Sequence, residues 1–141
     1  YGLWVLLAQT RDAIFKSRES ELKQYKVTPM QAAVLFSIQV LGDKATPVAI
    51  GRRLFRQRNS ISEILDRMER IGLVRKVNDL SRKKRVRAVL TDRGRKVYHL
   101  LSSETVSLYN IMSSLSEKEQ QRLGSYLQIL RARALKELEK S

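Results

Sequence analysis

Leu3, Trp4, Leu7, Ala8, Ile14, Phe15 and Leu22 recur at three- and four-residue steps with polar residues between them, which predicts a long helix with one apolar stripe ending near Tyr25. Thr28-Pro29-Met30-Gln31 then supplies a capping threonine, a proline at the first helical position and a glutamine that can close a capping box. A second helix should follow to about Leu41, where Gly42-Asp43 breaks it. Thr46-Pro47 repeats the capping device ahead of a short helix, Val48 to about Phe55.

From Gln57 to Gly72 the pattern is helical again. Ile61, Ile64, Leu65, Met68 and Ile71 mark a buried face, while Asn59, Ser62, Glu63, Asp66 and Arg70 point the other way. Leu73 to Val77 reads as a strand, Asn78-Asp79-Leu80-Ser81 as a turn, and Arg85 to Leu90 as a second strand. In that strand Val86, Ala88 and Leu90 face inward, and Arg85 and Arg87 outward. Thr91 should cap a helix running through Leu101 and on to Met112. Ser116-Glu117-Lys118-Glu119 is a capping box that opens a last helix carrying Leu123, Leu127, Leu130 and Leu138.

This order of elements predicts a mainly α fold with a small β-hairpin wing, a winged helix-turn-helix core flanked by N- and C-terminal helices. The expected parts are a helix over 1–27, the winged region over 28–96, and C-terminal helices over 97–141. Within the middle part, the second helix of the helix-turn-helix should occupy about 57–71 and the wing about 73–90.

Charge sharpens the picture. Residues 44 to 96 hold seventeen Lys and Arg against five Asp and Glu, a net of +12 out of +14 for the 141-residue chain. Merely solubilising charge is scattered and mixed in sign; one basic segment between nearly balanced ones is the footprint of a surface that meets polyphosphate. No apolar run approaches the roughly 20 residues that span a bilayer, so no membrane partner is expected and the protein should be soluble and cytoplasmic. Because Tyr1 stands partway into a helix, residues upstream of it are expected. Cysteine is absent and His99 is the only histidine, which leaves no thiolate metal site, thiol switch or metal cluster in prospect. No paired catalytic carboxylates, nucleophile motif or glycine-rich phosphate loop is present; neither an enzyme nor a cofactor is expected.

An α-helix fits the major groove and brings its N-terminal side chains closest to base edges. Gln57, Arg58, Asn59, Ser60 and Ser62 occupy that end, with Arg58 suited to guanine and Asn59 to adenine. Arg82, Lys83, Lys84, Arg85 and Arg87 form a basic wing able to follow the backbone or enter a narrow minor groove. Thr46, Arg52, Arg53, Arg56 and Arg75 are the candidate phosphate contacts. Plainer readings stand beside these. A basic run such as Arg82 to Arg87 is also what a solvated loop looks like, and Ser60-x-x-Glu63 has capping-box spacing. Asp66, Arg67, Glu69 and Arg70 are spaced for intrahelical ion pairs. His99 reads as a helix-surface or partly buried residue. Trp4, Phe15 and Tyr25 fit core or interface packing, with the lining of a small-molecule pocket as the second reading.

With these residues in place the chain resembles, over essentially its whole length, the MarR (multiple antibiotic resistance regulator) family of winged-helix transcription factors. The resemblance is carried by Ser60-Ile61-Ser62-Glu63-Ile64-Leu65-Asp66-Arg67-Met68-Glu69-Arg70-Ile71-Gly72-Leu73-Val74, a charged wing, and Leu90-Thr91-Asp92-Arg93-Gly94. It implies a homodimer with interlocked terminal helices, two winged domains reading an inverted repeat in double-stranded DNA, and often a small-molecule effector. The chain departs from the family twice: Arg82 stands where an acidic residue usually opens the second wing strand, and Glu63 where such helices often carry a basic residue. Independently, the apolar stripes with Leu3, Leu7, Leu123, Leu127 and Leu130 exceed what a small winged core can cover, which also predicts a dimer. The expected function is a sequence-specific DNA-binding repressor. Its rivals are a winged module binding nucleic acid without sequence preference, RNA included, and a protein-interaction scaffold.

Overall fold

The computed structural model describes residues 1–79 and 85–141, with Asp79 described in its backbone alone. The chain divides into two compact units, Tyr1–Thr105 and Val106–Ser141.

In the first unit, helix α1 (Gly2–Leu22) tightens into a 3₁₀ turn over Lys23–Tyr25 and stops at Lys26 in a left-handed conformation. Helix α2 (Pro29–Leu41) starts where the capping box predicts: Thr28 Oγ1 accepts from Gln31 N, and Gln31 Oε1 accepts from Thr28 N, both at 3.1 Å. Helix α3 (Pro47–Leu54) is capped by Thr46, whose Oγ1 accepts from Ala49 N at 3.2 Å. Helix α4 spans Arg58–Arg70, strands β1 (Val74–Asp79) and β2 (Arg85–Leu90) pair antiparallel from Val74 opposite Leu90 to Asp79 opposite Arg85, and α5 covers Asp92–Ser103. This is the mainly α fold with a hairpin wing that the periodicity predicts.

One core unites these elements. Val34, Leu35 and Ile38 of α2, Ile50 of α3, Ile61, Leu65 and Met68 of α4, and Leu73, Val74, Ala88 and Leu90 of the hairpin are all buried together with Leu22 and Leu101. Each fully buried aliphatic side chain contributes about 1.5–3 kcal/mol relative to exposure. The hairpin also joins the helices through its backbone, Ala88 N donating to Ala45 O at 2.9 Å just ahead of α3.

The base of the hairpin closes tightly. Leu73 N donates to Met68 O at 2.9 Å, Thr91 N donates to Leu73 O at 3.1 Å, and Thr91 Oγ1 donates to Gly72 O while accepting from Gly94 N at 3.0 Å. Arg93 adds a bond from its guanidinium to Ile71 O at 2.8 Å. The approach is so close that a Cβ on Gly94 would lie 2.0 Å from the Leu73 carbonyl oxygen.

The structure departs from the sequence pattern in four places. The helix expected from Thr91 to Met112 is broken: α5 ends at Ser103, Glu104 adopts φ −113° and ψ 55°, and α6 begins at Val106. The backbone ladder runs as far as Glu104, whose N donates to Leu100 O at 2.9 Å, while Ser102 and Ser103 add hydroxyl bonds to the carbonyls of Tyr98 and His99. Ile71, assigned to the buried face, is 39 % exposed, because α4 ends at Arg70 and the chain turns at Gly72 with φ 80°. Ser60 does not cap; the cap of α4 is Gln57 and Ser60 lies within the first turn. Asn78 and Asp79 extend β1 instead of opening the turn.

The second unit holds α6 (Val106–Met112) and α7 (Glu117–Glu139). The capping box at Ser116 forms as expected, and the Ser116 backbone N–H on the Glu119 carboxylate holds that group below the usual carboxylate range. Gln120 Nε2 bonds the carbonyls of Met112 and Leu115 at 2.9 and 3.1 Å, fixing the corner between the two helices. Among the described residues no helix is long and apolar enough to cross a membrane.

Gly94→Ala should destabilise the first unit by at least about 2 kcal/mol, since the Leu73 backbone would have to move to admit a methyl group. Chemical denaturation monitored by circular dichroism measures this; an unchanged midpoint would mean the hairpin base is not close-packed.

Candidate nucleic-acid interface

The helix-turn-helix is α3, a turn over 55–57, and α4. Gln57 takes the N-cap position with extended backbone, φ −72° and ψ 151°, yet its side chain makes no capping bond. The first-turn amides of α4 are therefore not claimed by their own cap, and the positive end of the helix dipole lies among exposed side chains. Gln57, Arg58, Asn59 and Ser60 are exposed and Ser62 is half-buried, so the five candidate base readers cluster at one end of one helix. Their placement follows from the apolar spacing: burying Ile61, Leu65 and Met68 turns the intervening polar residues outward.

Arg52 and Arg53 are exposed in the last turn of α3. Arg56 is also exposed, but its guanidinium folds back on the carbonyls of Phe55 and Leu54 at 3.2 and 3.5 Å, closing the C-terminal end of α3. Thr46, assigned as a phosphate contact, is only 7 % exposed, and its hydroxyl oxygen accepts from Ala49 N to cap α3.

In the hairpin the pairing register sorts the side chains. Val74, Lys76, Leu90, Ala88 and Val86 lie on one face; Arg75, Val77, Val89, Arg87 and Arg85 lie on the other. Three wing arginines thus share the face away from the core. Arg82, Lys83 and Lys84 lie outside the described residues, as does the side chain of Asp79.

Lys76 is a residue that the sequence pattern did not single out. Its Nζ is ion-paired to the Asp66 carboxylate of α4, and its backbone N donates to Glu69 Oε2 at 2.9 Å. Asp66 and Glu69 therefore fix β1 to α4 instead of forming the intrahelical pairs their spacing suggests. Arg70 turns its Nε to the Asp66 carbonyl at 3.4 Å. The only signal available beforehand was two acidic groups one turn apart near the end of an otherwise basic segment. Arg93, which ties α5 to the end of α4, was likewise absent from the candidates.

The aromatic trio is not brought together. Trp4 is 61 % exposed and lies eleven residues, about 16 Å, along α1 from Phe15. Phe15 packs under the Arg11 guanidinium at 4.5 Å. Tyr25 is half-buried and donates its hydroxyl to Glu104. That bond, with the negative charge beside it, raises the Tyr25 pKa above its ordinary value. Leu3 and Leu7 on α1, and Leu123, Leu127 and Leu130 on α7, are all exposed. His99 lies on the surface of α5 with its ring edge-on to Tyr98, and no group of three or more potential ligands able to hold a metal occurs among the described residues.

Residues 27–94 match the family of winged helix DNA-binding domains. Among solved structures, the organohalide-sensing transcriptional regulator RdhR in its 2,4-dichlorophenol-bound form is 30 % identical, with a TM-score of 0.83 over 94 % of this chain and 79 % of that one. MepR of S. aureus in complex with DNA is 22 % identical, with a TM-score of 0.82 over 92 % of this chain and 96 % of its own. A cysteine-to-serine mutant of MarR from E. coli, complexed with operator DNA, is 21 % identical, with a TM-score of 0.82 over 92 % and 93 %. At these identities the last two establish the fold alone. No curated protein matches by sequence.

Asp66→Asn should lower global stability by less than about 1 kcal/mol, as for other partly exposed ion pairs, while releasing β1 from α4. Amide exchange in Val74–Asn78 should accelerate with that in α2 unchanged; uniform exchange would show that the pair does not hold the wing. The Tyr25 contact has the opposite pH sense from a carboxylate: a pKa raised on folding gives stability that is present below the ordinary tyrosine value and lost as pH rises through the folded value. In an absorbance titration Tyr25→Phe should remove amplitude from above the ordinary tyrosine value, and amplitude lost at the ordinary value instead would remove the bond to Glu104.

Proposed function

The chain belongs to the MarR family of winged-helix DNA-binding transcription regulators, and from that premise we propose that it acts as a homodimeric repressor on a pseudo-palindromic operator, released by a small-molecule effector. The observation that carries the reading is the first turn of α4, where Arg58, Asn59 and Ser60 stand exposed, as do Arg52 and Arg53 in the last turn of α3. Short polar side chains at a helix N-terminus reach base edges, and the arginines around them neutralise phosphate. Arg75, Arg85 and Arg87 on one hairpin face supply a second line of backbone contact in this reading.

The dimer rests on the apolar residues of α1 and α7, which single winged units leave uncovered, and on twofold symmetry as the usual solution for operator binding. RdhR in its dichlorophenol-bound form and MepR and MarR in complexes with DNA support the ligand and the duplex as partners. Two recognition helices related by a dyad would enter successive major grooves about 34 Å apart.

Selection of duplexes from a random pool at about physiological salt should enrich an inverted repeat with half-sites one helical turn apart. Asn59→Ala should weaken that duplex by about 1–3 kcal/mol and random duplex far less. Binding without any enriched motif would instead support a winged module that holds nucleic acid through charge alone.

A further inference from the structure

Phe55 stands at the C-cap of α3, at the start of the turn into α4, with a left-handed backbone of φ 55° and ψ 45°. Glycine adopts that conformation freely, and a side chain with a Cβ resists it. The turn itself is fixed by close packing: Arg56 N donates to Gly51 O at 2.9 Å, and a Cβ on Gly51 would lie 2.5 Å from Arg56 O. The left-handed residue is therefore a requirement of the helix-turn-helix, and phenylalanine fills it at a backbone cost.

The ring gains little within the chain to offset that cost, being 60 % exposed. It is also surrounded by charge: Arg52, Arg53, Arg56 and Arg58 are exposed within three residues of it. A glycine here would remove both the strained backbone and the exposed apolar area. Strain at a position of this kind points to a role outside the folded monomer. A second copy of the same surface is a poor occupant, since the two arginine clusters would repel.

A duplex offers what fits. Phosphates suit the arginines, and between them the deoxyribose edges, together with thymine methyls at the groove wall, present apolar surface. We propose that Phe55 packs against a deoxyribose of the DNA strand held by these arginines, an apolar anchor in the middle of an ionic surface. The inference rests on the DNA-binding reading above and adds to it a contact whose affinity does not depend on counterion release. It is independent of base sequence except where a thymine methyl lies within reach.

The test measures wild type, Phe55→Gly, Phe55→Leu and Arg58→Ala on the selected duplex over a series of salt concentrations, with thermal melting of each. Phe55→Gly should melt at or above the wild-type temperature yet bind about tenfold more weakly, with an unchanged slope of log affinity against log salt. Phe55→Leu, which retains apolar area, should recover most of the loss. Arg58→Ala should weaken binding in the same assay. Undiminished affinity in Phe55→Gly while Arg58→Ala is impaired would overturn the anchor and leave the DNA reading standing. A lowered melting point or a shallower salt slope in Phe55→Gly would overturn it in favour of a structural or electrostatic role. If wild type itself holds no duplex, the DNA reading fails and the anchor with it.

Discussion

The exposed first turn of α4 keeps its place because the helix is held at its far end, where Leu73 joins α4, the hairpin and α5. Leu73 takes a hydrogen bond from Thr91, gives one to Met68, and leaves so little room that Gly94 must pass without a side chain. Thr91 meanwhile caps α5 and reaches the carbonyl of Gly72. The last residues of α4 cannot move without carrying the start of α5 and both strands with them. Since Ile61, Leu65 and Met68 lock the helix rotation from the core side, the direction in which Arg58 and Asn59 point is determined by packing on the opposite face.

Electrostatics works against the same arrangement. Concentrating a net +12 in residues 44 to 96 makes the segment repel itself in the absence of a polyanion. Some of the few carboxylates in that stretch are placed where they relieve the strain mechanically: Asp66 and Glu69 both engage Lys76, and Asp92 pairs with Arg95 at the start of α5. None of these sits in the first turn of α4, which has no acidic residue. Negative charge thus fastens the scaffold while the first turn of α4 carries no acidic residue.

What could be read from the sequence was local. Thr28, Thr46, Thr91 and Ser116 cap helices as their spacing implies, because the partner of a cap lies three residues away. The buried face of α4 followed from period alone, apart from Ile71, whose position one residue past the helix end frees it from that period. Contacts between distant elements were not legible. Nothing in the spacing of Asp66 and Glu69 distinguishes an intrahelical pair from a bond to a strand that begins several residues later. The break after Ser103 was hidden for a similar reason: the apolar pattern runs on, and the ladder ends at Glu104, whose carboxylate takes the hydroxyl of the distant Tyr25.

The long helix α7 raises a question of a different order. It has no buried residue in its own unit, although Leu123, Tyr126, Leu127, Ile129, Leu130, Leu135 and Leu138 are all exposed on it. Its capping box and the Arg133–Glu137 and Lys140–Glu137 pairs contribute only tenths of a kcal/mol to about 1 kcal/mol each. Local interactions of that size add little, and most helical stability in proteins comes from covering an apolar face. Under the proposed dimer, covering that face and bringing two recognition helices to one operator are a single event, so assembly would supply at once the stability the helix lacks and the symmetry the DNA requires.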